Sequence, residues 1–171
     1  VRIHITGASG SGTTTLGGAL AQALGCAHLD TDDYYWLPTK PPFQHKREVA
    51  ERVALLTRDL QPRDVVLSGS IGSWGAEVED AFDLIVFLYL PVEIRLARLR
   101  QRELERYGAA DPAFLEWASL YDTGPPEGRS LAKHDAWLAA RKCPVLRLEG
   151  DLSVAQRVAR VLVAIEVRCR S

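Results

Sequence analysis

Residues 1–18, VRIHITGASGSGTTTLGG, decide how the rest of the chain is read. Val1–Thr6 reads as a short strand. Gly7 and Gly12 bracket a small-residue loop, GASGSG. Leu16, Leu20 and Leu24 then recur at every fourth position, which is one face of a helix, and Gly25 ends it. Strand, glycine loop and helix in that order are what a phosphate-gripping loop requires. The glycines let the chain wrap so that successive backbone N–H groups point inward. The helix N-terminus adds unpaired N–H groups and its positive dipole end. That specific context argues against a merely flexible turn.

The pattern G-x-x-x-x-G-K-[ST] asks for lysine after the second glycine, and this chain has Thr13. A charged hydrogen bond contributes about 1.5–3 kcal/mol, or about ten- to a hundred-fold in affinity. Its loss weakens phosphate binding without abolishing it. Catalysis suffers more, because phosphoryl transfer depends on charge neutralisation. Thr14 remains at the Ser/Thr position, where a hydroxyl ligates Mg²⁺, and Thr13 and Thr15 add further hydroxyl donors. Lys40, Lys46 or an arginine from the helix after the fourth strand are the candidate replacement cations.

Further along, Ala27–Asp30 reads as a second strand, leading into the acidic and aromatic DTDDYYW. Leu37–Phe43 holds three prolines and is expected to be a loop. Gln44–Leu60 is expected to be helical, with Val49, Val53, Leu56 and Leu60 on one side. Asp64–Ser68 is a third strand, followed by the small-residue loop Gly69–Gly75. Leu84–Leu90, a continuous apolar run, reads as a central strand buried on both faces. Pro91 opens a helix to about Tyr107. Pro112–Tyr121 and Leu131–Arg141 are further helices, Val145–Leu148 a fifth strand, and Ser153–Val167 a closing helix capped by Ser153. Strands alternating with helices predict an α/β fold with a parallel sheet covered on both faces.

The chain has 171 residues, which predicts one domain over 1–171. A net charge of −1 gives no global attraction to nucleic acid or anionic membrane, so neither is expected as a partner. Cys26, Cys143 and Cys169 are widely spaced, form no C-x-x-C pair and are odd in number. A disulfide framework or zinc site is therefore not expected, and a cytoplasmic setting is. The chain opens on a strand-like segment with no signal-peptide pattern, and its longest apolar run is far too short to span a bilayer.

Asp30 stands at the carboxyl end of the second strand, where ligands lie in parallel α/β sheets. A carboxylate there holds a water on Mg²⁺ or accepts a proton from an attacking hydroxyl. Asp33 has a second reading as a helix cap. Five stretches now stand in sequence: GASGSGTT (Gly7–Thr14), LDTDD (Leu29–Asp33), VVLSGS (Val65–Ser70), FDLIVFLYLPVEIRLARLRQR (Phe82–Arg102) and PVLRLEGDLSVAQRV (Pro144–Val158). Together they resemble the P-loop nucleoside and nucleotide kinase superfamily, the adenylate kinase and shikimate kinase group. The resemblance runs over nearly the whole chain. It is closer still to bacterial members that carry a G-T-T-T loop.

The resemblance implies a three-layer fold with a five-stranded parallel sheet in order 2-3-1-4-5 and a small lid over about residues 98–125. It implies ATP and Mg²⁺ at Gly7, Ala8, Ser9, Gly10, Ser11, Gly12, Thr13, Thr14 and Thr15, with Thr14 and Asp30 at the metal. It maps a D-x-D pair to Asp30 and Asp32, with Asp32 nearer the acceptor. Arg95, Arg98, Arg102 and Arg106 fall on one helix face. Of these, Arg98 and Arg102 match the family's lid arginines. The alternative is a solvated helix in which Glu103 and Glu105 form local ion pairs. Gly150–Leu152, with Asp151 inside it, matches the loop that touches the adenine base. The stretch Arg106–Asp111 is short for this group.

The acceptor is expected between the strand-two loop, the following helix and the strand-three loop. Tyr34, Tyr35, Trp36 and Trp74 are candidate walls, and Arg47 or Arg52 candidate anion binders. His134 and Asp135 have no assigned place. The leading expectation is an ATP-dependent small-molecule kinase, monomeric or homodimeric, with nucleotide and small-molecule acceptor as its partners. The alternative is a nucleotide-binding regulator or pseudokinase, in which Thr13 precludes efficient transfer. A nucleic-acid partner on the arginine stripe ranks third, since the chain lacks a clustered aromatic platform.

Overall fold

The computed structural model describes residues 1–61, 64–125 and 128–169. Five parallel strands, β1 (Arg2–Gly7), β2 (Ala27–Asp30), β3 (Val65–Ser68), β4 (Leu84–Tyr89) and β5 (Val145–Glu149), form one sheet in the order β2-β3-β1-β4-β5. The helices are α1 (Thr13–Leu24), α2 (Thr31–Tyr35), α3 (Val49–Asp59), α4 (Ala76–Glu79), α5 (Val92–Tyr107), α6 (Pro112–Ser119), α7 (Leu131–Ala139) and α8 (Val154–Cys169).

The sheet buries both faces because alternate residues serve different layers. Ile3, Ile5, Val66, Leu84, Val86 and Leu88 pack with Leu16 and Leu20 of α1 and Val161 of α8. On the other face, Val65 and Leu67 pack with Leu56 of α3, Ile71, Trp74 and Val78, and Ile85 and Phe87 with Leu138 of α7. The apolar run Leu84–Leu90 is thus the two-sided strand its composition predicts, and its last residue lies just past β4.

The chain moves from β1 to one side of the sheet (β2, β3) and returns to the other (β4, β5). The carboxyl end of β1 is therefore the switch point, where parallel sheets open a crevice. The glycine loop occupies that position.

Helix ends follow local chemistry. Gly25 closes α1 in the left-handed region. At α8, Ser153 Oγ accepts from Gln156 N–H and the Gln156 side chain accepts from Ser153 N–H, a reciprocal capping box. One expectation needs correction. The helix expected from Gln44 starts only at Val49. Before it, Leu37 N–H donates to His45 O and Arg47 N–H to Tyr35 O, so residues 37–47 double back beside α2. Pro41 and Pro42 lack the N–H groups a helix needs, and Phe43 adopts φ 63°, outside the helical region. At DTDD the alternative cap reading is settled by position. Asp30, not Asp33, is the N-cap of α2, its carboxylate accepting from Asp32 N–H. Cys26 and Cys143 are free thiols, and the Cys169 side chain lies outside the described residues.

Candidate functional site

The loop between β1 and α1 is shaped by two glycines that no other residue replaces without strain. Gly10 has φ 83°, and a Cβ there would lie 2.8 Å from Arg95 O. Gly12 has φ 92° and is the N-cap of α1, with no side chain capping the helix. The first N–H groups of α1 are thus left for a ligand. Ser11 is fully buried and its Oγ has no partner among the described residues. A tight, glycine-shaped turn with an orphaned buried hydroxyl and an uncapped helix start fits a phosphate group.

Thr14, in the first turn of α1, donates its hydroxyl to Asp30 Oδ2 at 2.9 Å. Ser68, at the end of β3, reaches the same oxygen at 3.3 Å. Asp30 Oδ1 meanwhile caps α2. So the two residues expected at the metal are in contact across the loop mouth, and Asp30 is held on both oxygens. Among the described residues no group of three or more His, Cys, Asp or Glu forms a metal cluster. One carboxylate and one hydroxyl beside a phosphate loop suit Mg²⁺, which takes few protein ligands and completes its shell with water and phosphate oxygens.

Asp32, two residues on, opens onto a cavity of about 610 Å³. All four tryptophans of the chain, Trp36, Trp74, Trp117 and Trp137, line it. Burial and the Asp30 carboxylate push the Asp32 carboxyl above its usual range, while the Arg129 guanidinium pulls it back. Arg129 lines the same cavity, and burial lowers its own pKa. His134, from α7, is 6% exposed, with Nδ1 at 2.6 Å from the Tyr121 hydroxyl. Burial brings its pKa down to about 4, so the ring is neutral at pH 7. Its Nε2 and the Thr6 hydroxyl, both of residues lining the cavity, have no partner among the described residues.

Several expected residues lie elsewhere. Tyr34 is buried with its hydroxyl on Asp59. Arg47 donates to Tyr34 O, and Arg52 to Arg47 O, with its guanidinium 4.1 Å over the Tyr35 ring. None of the three lines the cavity. Lys46 sits 5.8 Å over Tyr35. Asp135 pairs with Arg147 on the surface.

The arginine stripe of α5 is divided. Arg95 is fully buried, bonded to Leu90 O, Ala118 O and Asp122, with Tyr121 under its guanidinium, and ties α5 to the end of α6. Arg98 pairs with Asp151 at 2.6 Å. Arg102 buries its Nε without a partner among the described residues. Two side chains with no helical-stripe signal complete the surroundings. Arg129 comes from a loop, and Arg157 of α8 donates to Ser11 O at 2.8 Å and Gly150 O at 3.3 Å.

Sheet order, switch-point loop and flanking helices define the P-loop kinase-like fold. Solved structures agree. Shikimate kinase from Acinetobacter baumannii in complex with shikimate is 19% identical, with TM-score 0.62, covering 98% of this chain and 93% of that one. A gluconokinase from Sinorhizobium meliloti 1021 is 18% identical, with TM-score 0.59, covering 98% and 96%. A family model described as an AAA domain matches residues 3–111. A Bacillus subtilis (strain 168) protein, "Uncharacterized protein YqaC", is 50% identical over 94% of each chain. The chain belongs to this AAA domain family, and it shares its fold with the shikimate kinase and the gluconokinase.

Proposed function

We propose that the protein is a Mg²⁺- and ATP-dependent phosphotransferase acting on a small-molecule acceptor. One observation carries the reading: the Asp30–Thr31–Asp32 junction joins two sites. Asp30 faces Thr14 at the loop, and Asp32 faces the tryptophan-lined cavity. Donor and acceptor compartments thus meet within two residues.

In this reading Gly7–Thr15 and the start of α1 hold the nucleotide phosphates, with Gly150 and Asp151 at the base side. Thr14 and Asp30 hold the metal. Bound Mg²⁺–ATP supplies the phosphoryl group and part of the neutralising charge. Asp32 accepts the acceptor's hydroxyl proton. Its raised pKa brings it closer to the range a general base needs. Arg129 and the orphaned donors at Thr6 and His134 suit an acceptor with an anionic group, and the indoles suit a ring. Residues 98–125 act as a cover, since Trp117 from α6 already forms one wall, and residues 1–171 work as one unit.

The test is a phosphoryl-transfer assay with Mg²⁺–ATP against nucleosides, nucleotides, sugar acids and ring-bearing hydroxy acids. Transfer that requires both Mg²⁺ and Asp32 supports the reading. ATP binding with no transfer to any acceptor contradicts it and favours a nucleotide-binding regulator.

A further inference from the structure

The loop lacks its lysine, yet its outer side is not short of positive charge. Two guanidinium groups converge on Gly12, the residue before Thr13. A Cβ built on Gly12 would lie 3.2 Å from Arg157 Nη1 and 3.7 Å from Arg98 Nη1. They come from different helices, α8 and α5.

Arg157 is 3% exposed and fixed by Ser11 O and Gly150 O, while its Nε has no partner among the described residues. Arg98 is 40% exposed and, among the described residues, is held by the exposed carboxylate of Asp151. Such an exposed ion pair is weak, so Arg98 is easily redirected. Charge does not balance here. Two cations stand together beside a helix N-terminus, and Asp151 is the carboxylate that meets them. Burial, then Arg98, lowers the pKa of Arg157, as expected for like charges brought close. An anion at the loop relieves that repulsion.

We propose that Arg157 and Arg98 together replace the loop lysine: Arg157 is a fixed charge behind Gly12, and Arg98 swings from Asp151 onto the outer phosphates of a bound nucleoside triphosphate. The inference rests on the nucleotide reading above and deepens it. It also explains why position 13 is threonine. A lysine there would add a third cation to a place that already holds two.

The experiment is calorimetric titration of ATP and AMP, each with Mg²⁺, into wild type, Thr13→Lys, Arg98→Ala and the Arg98→Ala/Thr13→Lys double variant. Arg98→Ala is expected to weaken ATP by about ten-fold or more and AMP by less than about two-fold. Thr13→Lys is expected to give no gain in the wild-type background and to restore ATP affinity in the Arg98→Ala background. Arg157→Gln keeps a hydrogen-bond donor without the charge, and is expected to lower the ATP-to-AMP affinity ratio. Equal losses for ATP and AMP in Arg98→Ala and Arg157→Gln would overturn the proposal, because a purely structural role moves both. So would a ten-fold gain from Thr13→Lys in wild type, which would mark the lysine's place as vacant. Wild type that binds neither nucleotide would sink the phosphotransferase reading itself. Wild type that binds ATP, with the variants unchanged, sinks only this inference.

Discussion

Replacing Asp30 by asparagine separates folding from function. The carboxylate accepts from Thr14 Oγ1 at 2.9 Å, Ser68 Oγ at 3.3 Å and Asp32 N–H at 3.0 Å. Asparagine keeps an acceptor for the Asp32 N–H, and asparagine caps helices about as well as aspartate. Its amide N–H₂ faces two hydroxyls that rotate to accept. The folding cost is therefore about 1 kcal/mol or less. The negative charge that the proposed metal site needs is lost entirely. That charge-assisted contact contributes about 1.5–3 kcal/mol, so Mg²⁺-supported ATP binding should weaken about ten- to a hundred-fold. Urea unfolding measures the first quantity. Calorimetric ATP titration with and without Mg²⁺ measures the second. A variant that unfolds several kcal/mol more easily would make Asp30 a structural cap and nothing more. A variant with unchanged Mg²⁺ dependence would remove it from the metal site.

Arg95→Leu should cost about 3 kcal/mol, below the top of the buried-pair range because Asp122 stays 26% exposed, and lower the thermal midpoint by roughly 6–12 °C. A loss under about 1 kcal/mol, seen in urea unfolding, would contradict the anchoring role. Burial holds His4 and His134 to about pKa 4 against an ordinary 6.5. The unfolded chain takes up these protons first, so stability should fall as pH drops from about 6.5 toward 4, by about 3 kcal/mol for each ring. His134→Gln should remove about half of that loss, and equal urea midpoints at pH 7 and 4.5 in wild type would contradict it. Arg129→Gln should weaken a carboxylate-bearing acceptor by about ten-fold or more while leaving ATP affinity unchanged. Quenching of tryptophan fluorescence reads this directly, since all four indoles line the cavity. Equal acceptor affinity in the variant would rule Arg129 out.

The fold was legible because its signals are local and periodic. Leu16, Leu20 and Leu24 mark α1, the run from Leu84 marks a two-sided strand, and Gly25 marks a helix end. The loop and its nearness to Asp30 were legible because each follows a parallel strand at the carboxyl end of the sheet. What spacing could not convey was the partner from far away. Arg157 reaches Ser11 across 146 positions, and nothing in α8's pattern distinguishes it from a surface arginine. Arg129 and His134 reach the cavity from beyond β4, Arg129 from a loop and His134 from a helix whose docking place its spacing does not set. Arg95 looked like its neighbours on a helical wheel, and its burial depends on distant partners, Ala118 O of α6 and Asp122 beyond it. The residues before α3 misled because Val49 to Leu60 is periodic, while two prolines upstream delay the start.

A lysine-less loop that binds nucleotide phosphates must lose that binding when its glycine turn is filled. Titration of Mg²⁺–ATP into wild type and Gly12→Val, followed by calorimetry, tests it most directly. Gly12 has φ 92°, and any side chain there meets Arg157 at 3.2 Å. Saturable one-site binding is expected in wild type, with a loss of about ten-fold or more in the folded variant. No binding to wild type, or the same affinity in both proteins, would contradict it.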